Sequence, residues 1–283
     1  VGVTTLSPLF AAPVVSIIGA PLKYVPWLGV SGQLARQNSA RSARSTAAAA
    51  GALMIGLALV SGAGVFGASL KQTISGTLET SIQADYFVQQ DGFGVGFGSG
   101  LADQMRASDD FAQVASFRVG NAIVNGSAEQ VTATNFDQFD GLLNPGVIAG
   151  SISDADANSI LLHEDPATDL GVGPGDVLTV AFASGESTEV TIAAVFTDGI
   201  LLGDWVIDIA TWDRYFSATN DLIVAARIAD GTDIATARAT LDSITEDFPQ
   251  VLVEDQAEFR QSQEGQIDSL IAVVNVMLFL AFV

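Results

Sequence analysis

Asp154, Asp156, Asn158 and Asp165 stand at positions 1, 3, 5 and 12 of a calcium-binding loop, where side-chain oxygens would surround a hard cation. Ser159 occupies the position that needs glycine, Asp165 replaces the bidentate glutamate, and no helix pattern flanks the segment. The spacing therefore reads as a solvated acidic turn rather than a metal site. His163 is the single histidine. Beside Glu164 and Asp165, with no serine placed to be activated, it forms no triad and reads as a surface side chain. Gly92 to Gly100 (GFGVGFGSG) is glycine-rich without three glycines at positions 0, 2 and 5, so it reads as a flexible or membrane-grazing loop carrying Phe93 and Phe97. No G-x-x-x-x-G-K-[ST] occurs, so the chain is no P-loop ATPase. With no cysteine there is no thiolate zinc site, disulfide or catalytic thiol. Asn125-Gly126-Ser127 matches a glycosylation sequon, as many turns do. No catalytic constellation and no cofactor site emerge, and an enzyme is not expected.

The charges explain more. The 283 residues hold 11 Lys and Arg against 32 Asp and Glu, a net charge of −21 that disfavours nucleic acid as a partner. Residues 1–70 carry Lys23, Arg36, Arg41 and Arg44 and no acid. Residues 71–268 carry the other seven basic groups and every acid, for −25. Only 15% of the chain is charged, and its mean hydropathy is +0.41. Apolar ends in lipid and an acidic middle in water account for that sorting.

Residues 45–70 (STAAAAGALMIGLALVSGAGVFGASL) contain no charge. As a helix they would extend roughly 39 Å, more than the hydrocarbon core requires, and they predict a span over 46–70. Arg36, Arg41 and Arg44 precede it, which places residues 29–45 on the cytoplasmic side as a linker and residue 71 outside. Residues 1–28, broken by Pro8, Pro13 and Pro21, read as the end of a preceding span. Residues 267–283 read as the truncated start of the next one, so the chain looks cut at both ends and multi-pass in the plasma membrane.

The middle, 71–266, alternates strands with short helices and predicts a mixed α+β extracytoplasmic domain. Strands are expected at 85–89, 115–124, 130–134, 205–209, 222–228 and 251–253. A hairpin is expected from 177–182 to 189–196 around Ser184-Gly185-Glu186. Short helices are expected at 101–107 and at 211–216, the latter capped by Thr211. A longer one, 233–247, would bury Ile234, Ala237, Leu241 and Ile244. Leu70, Ile74, Leu78 and Ile82 recur every four residues, and Phe259, Ile267 and Leu270 give a looser stripe, predicting two helical stalks. Ala48, Ala52 and Gly56, and Gly64 and Ala68, form small-residue faces suited to close helix packing.

These residues match a known pattern. Leu34 to Gly62 (LARQNSARSARSTAAAAGALMIGLALVSG) closely resembles the entry to the second repeat of FtsX/MacB-like ABC-transporter permeases. Leu170 to Phe196 resembles the extracytoplasmic strand–turn–strand of that family. The stretch from Phe259 into the apolar tail is similar to a stalk entering the next span. The resemblance implies an α+β membrane protein: transmembrane helices and a MacB-like periplasmic core domain on helical stalks. It implies a permease subunit that passes the ATP-driven motion of a separate cytoplasmic ATPase to the outer domain, for export or for lipoprotein, lipid or peptide handling. Its partners would be that ATPase, the lipid bilayer, and a second permease unit or repeat in a dimer. Leu34, Arg36, Asn38, Arg41 and Arg44 would then form or flank the ATPase contact. The alternatives are a membrane-bound sensor with an extracytoplasmic ligand-binding domain, or a regulator of cell-wall hydrolases.

Overall fold

The computed structural model describes residues 43–91, 96–139 and 141–282. The chain divides into two compact units: Val1–Lys71 with Gly265–Val283, and Gln72–Glu264. Two long helices contribute to both, α1 (Ala43–Ser81) and α6 (Gln256–Phe282). Helix α1 holds the run Ala47–Ala50, strong helix formers, near its start and continues for 39 residues without a proline. Its segment Leu53–Thr73 is long and apolar enough to cross a membrane, with only 6% of its most apolar window buried. Leu53, Leu57, Val65 and Phe66 point outward. A soluble protein's core helix would hide such side chains; a lipid-facing one has no reason to.

In the second unit, β1 (Tyr86–Gln90), α2 (Gly100–Arg106) and the first half of β3 (Phe111–Val124) are followed, after a long excursion, by β11 (Ile223–Ile228), α5 (Ile234–Thr245) and β12 (Val251–Asp255). The sheet order is β12-β1-β11-β3, antiparallel throughout. This is the split β-α-β-β-α-β arrangement. Alternation sorts the side chains. Tyr86, Val88, Val114, Val224 and Ala226 face α2 and α5, where they meet Leu101, Met105, Ala237 and Leu241. Phe87, Ala115, Phe117 and Ala225 face the other way.

The excursion is a second lobe. The second half of β3 pairs with β4 (Ser127–Thr134), then β9 (Trp205–Asp208), β6 (Ser159–His163), β8 (Ser187–Phe196) and β7 (Val177–Ala181). Strand β7 returns to β3 through Ile123↔Ala181 and Val124↔Val180, so six strands close a barrel. Its interior holds Val124, Val131, Ile160, Leu162, Val180, Ile192 and Ile207. Strand β5 (Val147–Gly150) hangs on β8 outside the ring, and a two-stranded ribbon joins β2 (Phe97–Gly98) to β10 (Asn220–Asp221). The β3–β4 turn is Asn125-Gly126 with φ of 47° and 89°, a two-residue turn that favours Asn-Gly because both residues are left-handed. That turn is also the sequon.

Several local expectations change. Helix α4 (Ile209–Tyr215) starts two residues earlier than expected and is capped by Asp208, whose carboxylate accepts from the Ala210 N–H at 2.8 Å. Thr211 is buried and donates to the Ala157 carbonyl instead. Ile234 opens α5 but is 71% exposed, because the buried stripe begins at Ala237. Phe97 is no membrane-grazing side chain: it is buried in the core beneath α2 and α5. Gly92–Val95 lie outside the described residues. Strand β6 and the first residues of helix α3 (Glu164–Leu170) occupy the stretch 154–165 read as an acidic turn, and β5 lies just before it where no element was expected.

Candidate functional site

Where the long helices meet the domain, their ends are built into its core. Ile82 follows the last residue of α1, and Phe259 lies in the first turn of α6; both are buried. They share one apolar layer with Phe87, Ala115, Phe117 and Ala225 of the four-stranded sheet and with Leu161, Ala194, Phe196 and Val206 from the outside of the barrel. Phe259 stacks on Phe87 with ring centroids 4.0 Å apart. The Gln256 side-chain amide donates to the Ile82 carbonyl at 2.9 Å, and Ser75 donates to Glu264 at 2.5 Å. Two helix ends, one sheet and one barrel thus meet in one close-packed layer.

Along the rest of the helices, Lys71 pairs with Asp268 at 3.0 Å. Gly67 is buried, and a Cβ there would lie 2.3 Å from Ile271 Cδ1, so a side chain at that position would make Ile271 shift. Leu70 is 40% and Leu270 67% exposed, whereas Ile267 is buried. Ile74 and Leu78 lie on α1 with side chains outside the described residues, as do Ala48, Ala52 and Arg44. Gly56 is half-buried, Gly64 faces open space and Ala68 is exposed. Leu34, Arg36, Asn38 and Arg41 lie outside the described residues.

The sheet edge beside α6 carries a buried carboxylate. Glu254 on β12 accepts from the Gln89 amide at 2.6 Å, which also donates to Ser262 at 3.2 Å. Burial pushes the Glu254 pKa up, the bonds from Ser262 and Gln89 oppose the rise, and Glu258 and Asp255 add to it.

A second polar cluster lies where β3 leaves one sheet for the other. Phe117 pairs with Ile223 of β11, and the next residue, Arg118, pairs with Ala133 of β4. Arg118 is buried; its Nε donates to Asp221 at 2.6 Å and its Nη1 to Asp213. Ser116 donates to the other Asp221 oxygen at 3.0 Å and accepts from Arg106 at 2.9 Å. Arg106 also donates to Asn135 Oδ1 at 3.1 Å, and that oxygen takes the Ser116 N–H at 3.0 Å. Burial pushes the Asp221 pKa up against the pull of Arg118. Asp221 stands 103 residues from Arg118, and no short-range spacing marks the pair.

The residues first weighed for chemistry do not converge. Asp156 binds its own turn, accepting from the Asn158 N–H at 2.9 Å and the Ser159 hydroxyl at 2.8 Å. Asp154 ends a 3-10 turn, and Asp165 sits in the first turn of α3. His163 is not a loose surface group. Its side chain is 14% exposed, its Nδ1 accepts the Asp165 N–H to cap α3, its Nε2 lies 3.1 Å from the Thr197 carbonyl, and its ring meets Phe196 edge-on. Among the described residues no three or more His, Cys, Asp or Glu side chains gather to hold a metal.

Against this geometry, the sequence profile of the MacB-like periplasmic core domain matches residues 46–244, well over half the chain. The chain belongs to that family. It is a MacB-like periplasmic domain of the ABC-type transporter permeases, and the resemblance to FtsX/MacB-like permeases is one of kinship. Family membership carries with it a membrane protein with an extracytoplasmic domain and a cytoplasmic ATPase partner. Similar solved structures include the periplasmic region of MacB from Actinobacillus actinomycetemcomitans, at 15% identity and a TM-score of 0.48, covering 65% of this chain and 94% of that one. A domain of a putative permease protein from Porphyromonas gingivalis matches at 15% identity and a TM-score of 0.42, covering 61% and 89%. The extracellular domain of the noncanonic ABC-type transporter YknZ from Gram-positive bacteria matches at 12% identity and a TM-score of 0.40, covering 60% and 98%. No curated protein sequence matches the chain significantly.

Proposed function

We propose that this MacB-like chain is the transmembrane permease subunit of a mechanotransmitting ABC transporter. ATP is hydrolysed on a separate cytoplasmic subunit, and the chain itself has no catalytic role. The observation that carries the reading is the shared layer in which Ile82 and Phe259 pack between the sheet and the barrel. Helix α1 runs unbroken from Ala43 to Ser81, roughly 58 Å at 1.5 Å per residue, so a push or twist at its start reaches Ile82 without a loop to absorb it. Leu34, Arg36, Asn38, Arg41 and Arg44 are the proposed ATPase contact, on the cytoplasmic side set by the positive-inside rule. The seam between α1 and α6 (Gly67, Lys71 and Ser75 against Ile271, Asp268 and Glu264) makes the two helices move together. The cargo class is export of, or action on, lipoproteins, lipids or peptides outside the cytoplasm.

The test is co-purification of the full-length permease with a nucleotide-binding subunit from detergent, followed by ATPase assay in lipid. Ile82→Ala with Phe259→Ala should leave that complex and its basal ATPase intact while abolishing the response of the outer domain to ATP. Recovery of no nucleotide-binding subunit would sink the reading.

A further inference from the structure

The barrel is an insertion in the four-stranded lobe, entered at Phe117–Arg118 and left through residues 216–222. Both crossings lie side by side, with the Leu222 N–H donating to the Phe117 carbonyl at 2.8 Å. Two adjacent strands form a hinge, because neither alone fixes the angle between the bodies they join. Across it stand two links running in opposite directions. Arg118, on the barrel side of β3, reaches back to Asp221, whose own strand pairs with β2 beside the four-stranded lobe. Arg106, on α2 of that lobe, reaches forward to Asn135 at the end of barrel strand β4. Ser116 joins the two links by accepting from Arg106 and donating to Asp221. Asp213 holds the far side of Arg118 to α4 of the barrel.

We propose that the Arg118–Asp221 and Arg106–Asn135 links, joined through Ser116, form a latch that fixes the barrel against the four-stranded lobe and must part when the lobes move. Three features support it. The cluster sits at the strand switch and nowhere else along β3. Arg118 and Asp221 are buried, so their pairing is neither screened nor replaced by water while the lobes are closed. Between the arginines lies an open cleft of about 300 Å³, lined by Ser99, Asp103, Asn135 and Thr219 among others, from which water can reach Arg118 and Asp221 once they part. Only the Arg118–Asp221 link is buried; parting it exposes two charges that were out of water, whereas the Arg106–Asn135 link is exposed already. The stalk ends Ile82 and Phe259 press on the layer between the same two bodies. The latch therefore deepens the proposed mechanotransmission as the element that would convert a stalk displacement into a lobe rotation.

The chain has no cysteine, so spin labels on Ile234→Cys of α5 and Ser184→Cys at the exposed β7–β8 hairpin report the angle without background. In the full chain in detergent, without an ATPase, the parent should give one narrow distance distribution. Arg118→Gln with Asp221→Asn, which removes both charges together, should widen it at least twofold. Ser116→Ala, which keeps the charges and removes only the bridging hydroxyl, should widen it less. If the double variant fails to fold, Ser116→Ala and Asn135→Ala decide alone. An unchanged width in every variant that folds overturns the latch. Failure to find an ATPase would remove the proposed function and leave this result standing.

Discussion

The two lobes bury apolar cores of similar make-up and close them differently. The barrel joins its first strand to its last, so its interior is complete without help from outside. The four-stranded sheet stays open. One face is covered by α2 and α5, and the other needs the barrel wall together with Ile82 and Phe259. An open sheet covered by neighbours is sensitive to those neighbours, and a closed barrel is not. The ends of the long helices belong to the layer that sheet and barrel share, and α1 also meets the second lobe directly, where the Asn144 N–H donates to the Ser81 carbonyl at 2.8 Å.

The largest effect expected from this contrast comes from Phe259→Ala. It leaves a cavity against Phe87 and should cost about 3–5 kcal/mol. The loss should appear as faster amide exchange in β1, β11 and β12. The barrel has its own reporters, since Trp205 and Trp212 both lie in its core cluster, so in a Trp27→Phe background, which removes the third tryptophan, emission should change only at higher denaturant. Coincident loss of both signals would break the contrast. Next, Gly67→Leu forces Ile271 aside and should cost about 1–3 kcal/mol in the helix seam. It should leave barrel emission unchanged, and crosslinking between engineered cysteines on α1 and α6 would measure the separation.

A smaller effect, about 1 kcal/mol, is expected for Asp208→Ala, which uncaps α4. This one belongs to the barrel, so the tryptophan transition should shift while sheet exchange stays as it was. The smallest is Glu254→Gln. The Glu254 pKa is raised in the folded state, so folding favours the neutral acid. Its contribution is fully present below the unfolded pKa and is lost as pH rises through the folded one. Denaturation midpoints measured from acid to neutral pH should decline less steeply in the variant. An identical pH slope would show that Glu254 is not the titrating group.

Much of this architecture is written in local patterns. The charge-free run before Leu70, the β7–β8 turn at Ser184-Gly185-Glu186 and the amphipathic α5 each follow from neighbours a few residues apart. What escaped depends on distant partners. Ser159–His163 (SILLH) is a strand buried on both faces, so it shows no alternation, and its acidic flanks suggest a turn. Strand β5 is four exposed residues with no period at all. Barrel closure rests on two residue pairs between β3 and β7. For the site, the period-four stripe pointed to Ile82, and Phe259 stood out as an aromatic before an apolar tail. Gly67 was hidden among many glycines and alanines of one helix, because only the position of Ile271 singles it out. The Arg118–Asp221 pair carries no spacing signal, since its members meet only after the barrel has formed between them.

Phe117 and Ile223 face each other across one rung of the sheet, although the whole barrel is threaded between them. A direct connection at that rung needs only a tight hairpin. Splicing out residues 118–221 to make it would also remove the barrel wall from one face of the sheet and leave Phe87, Phe117 and Ala225 without most of their cover. The barrel is thus an insertion whose two ends lie one rung apart and whose outer wall completes the core of the sheet it interrupts.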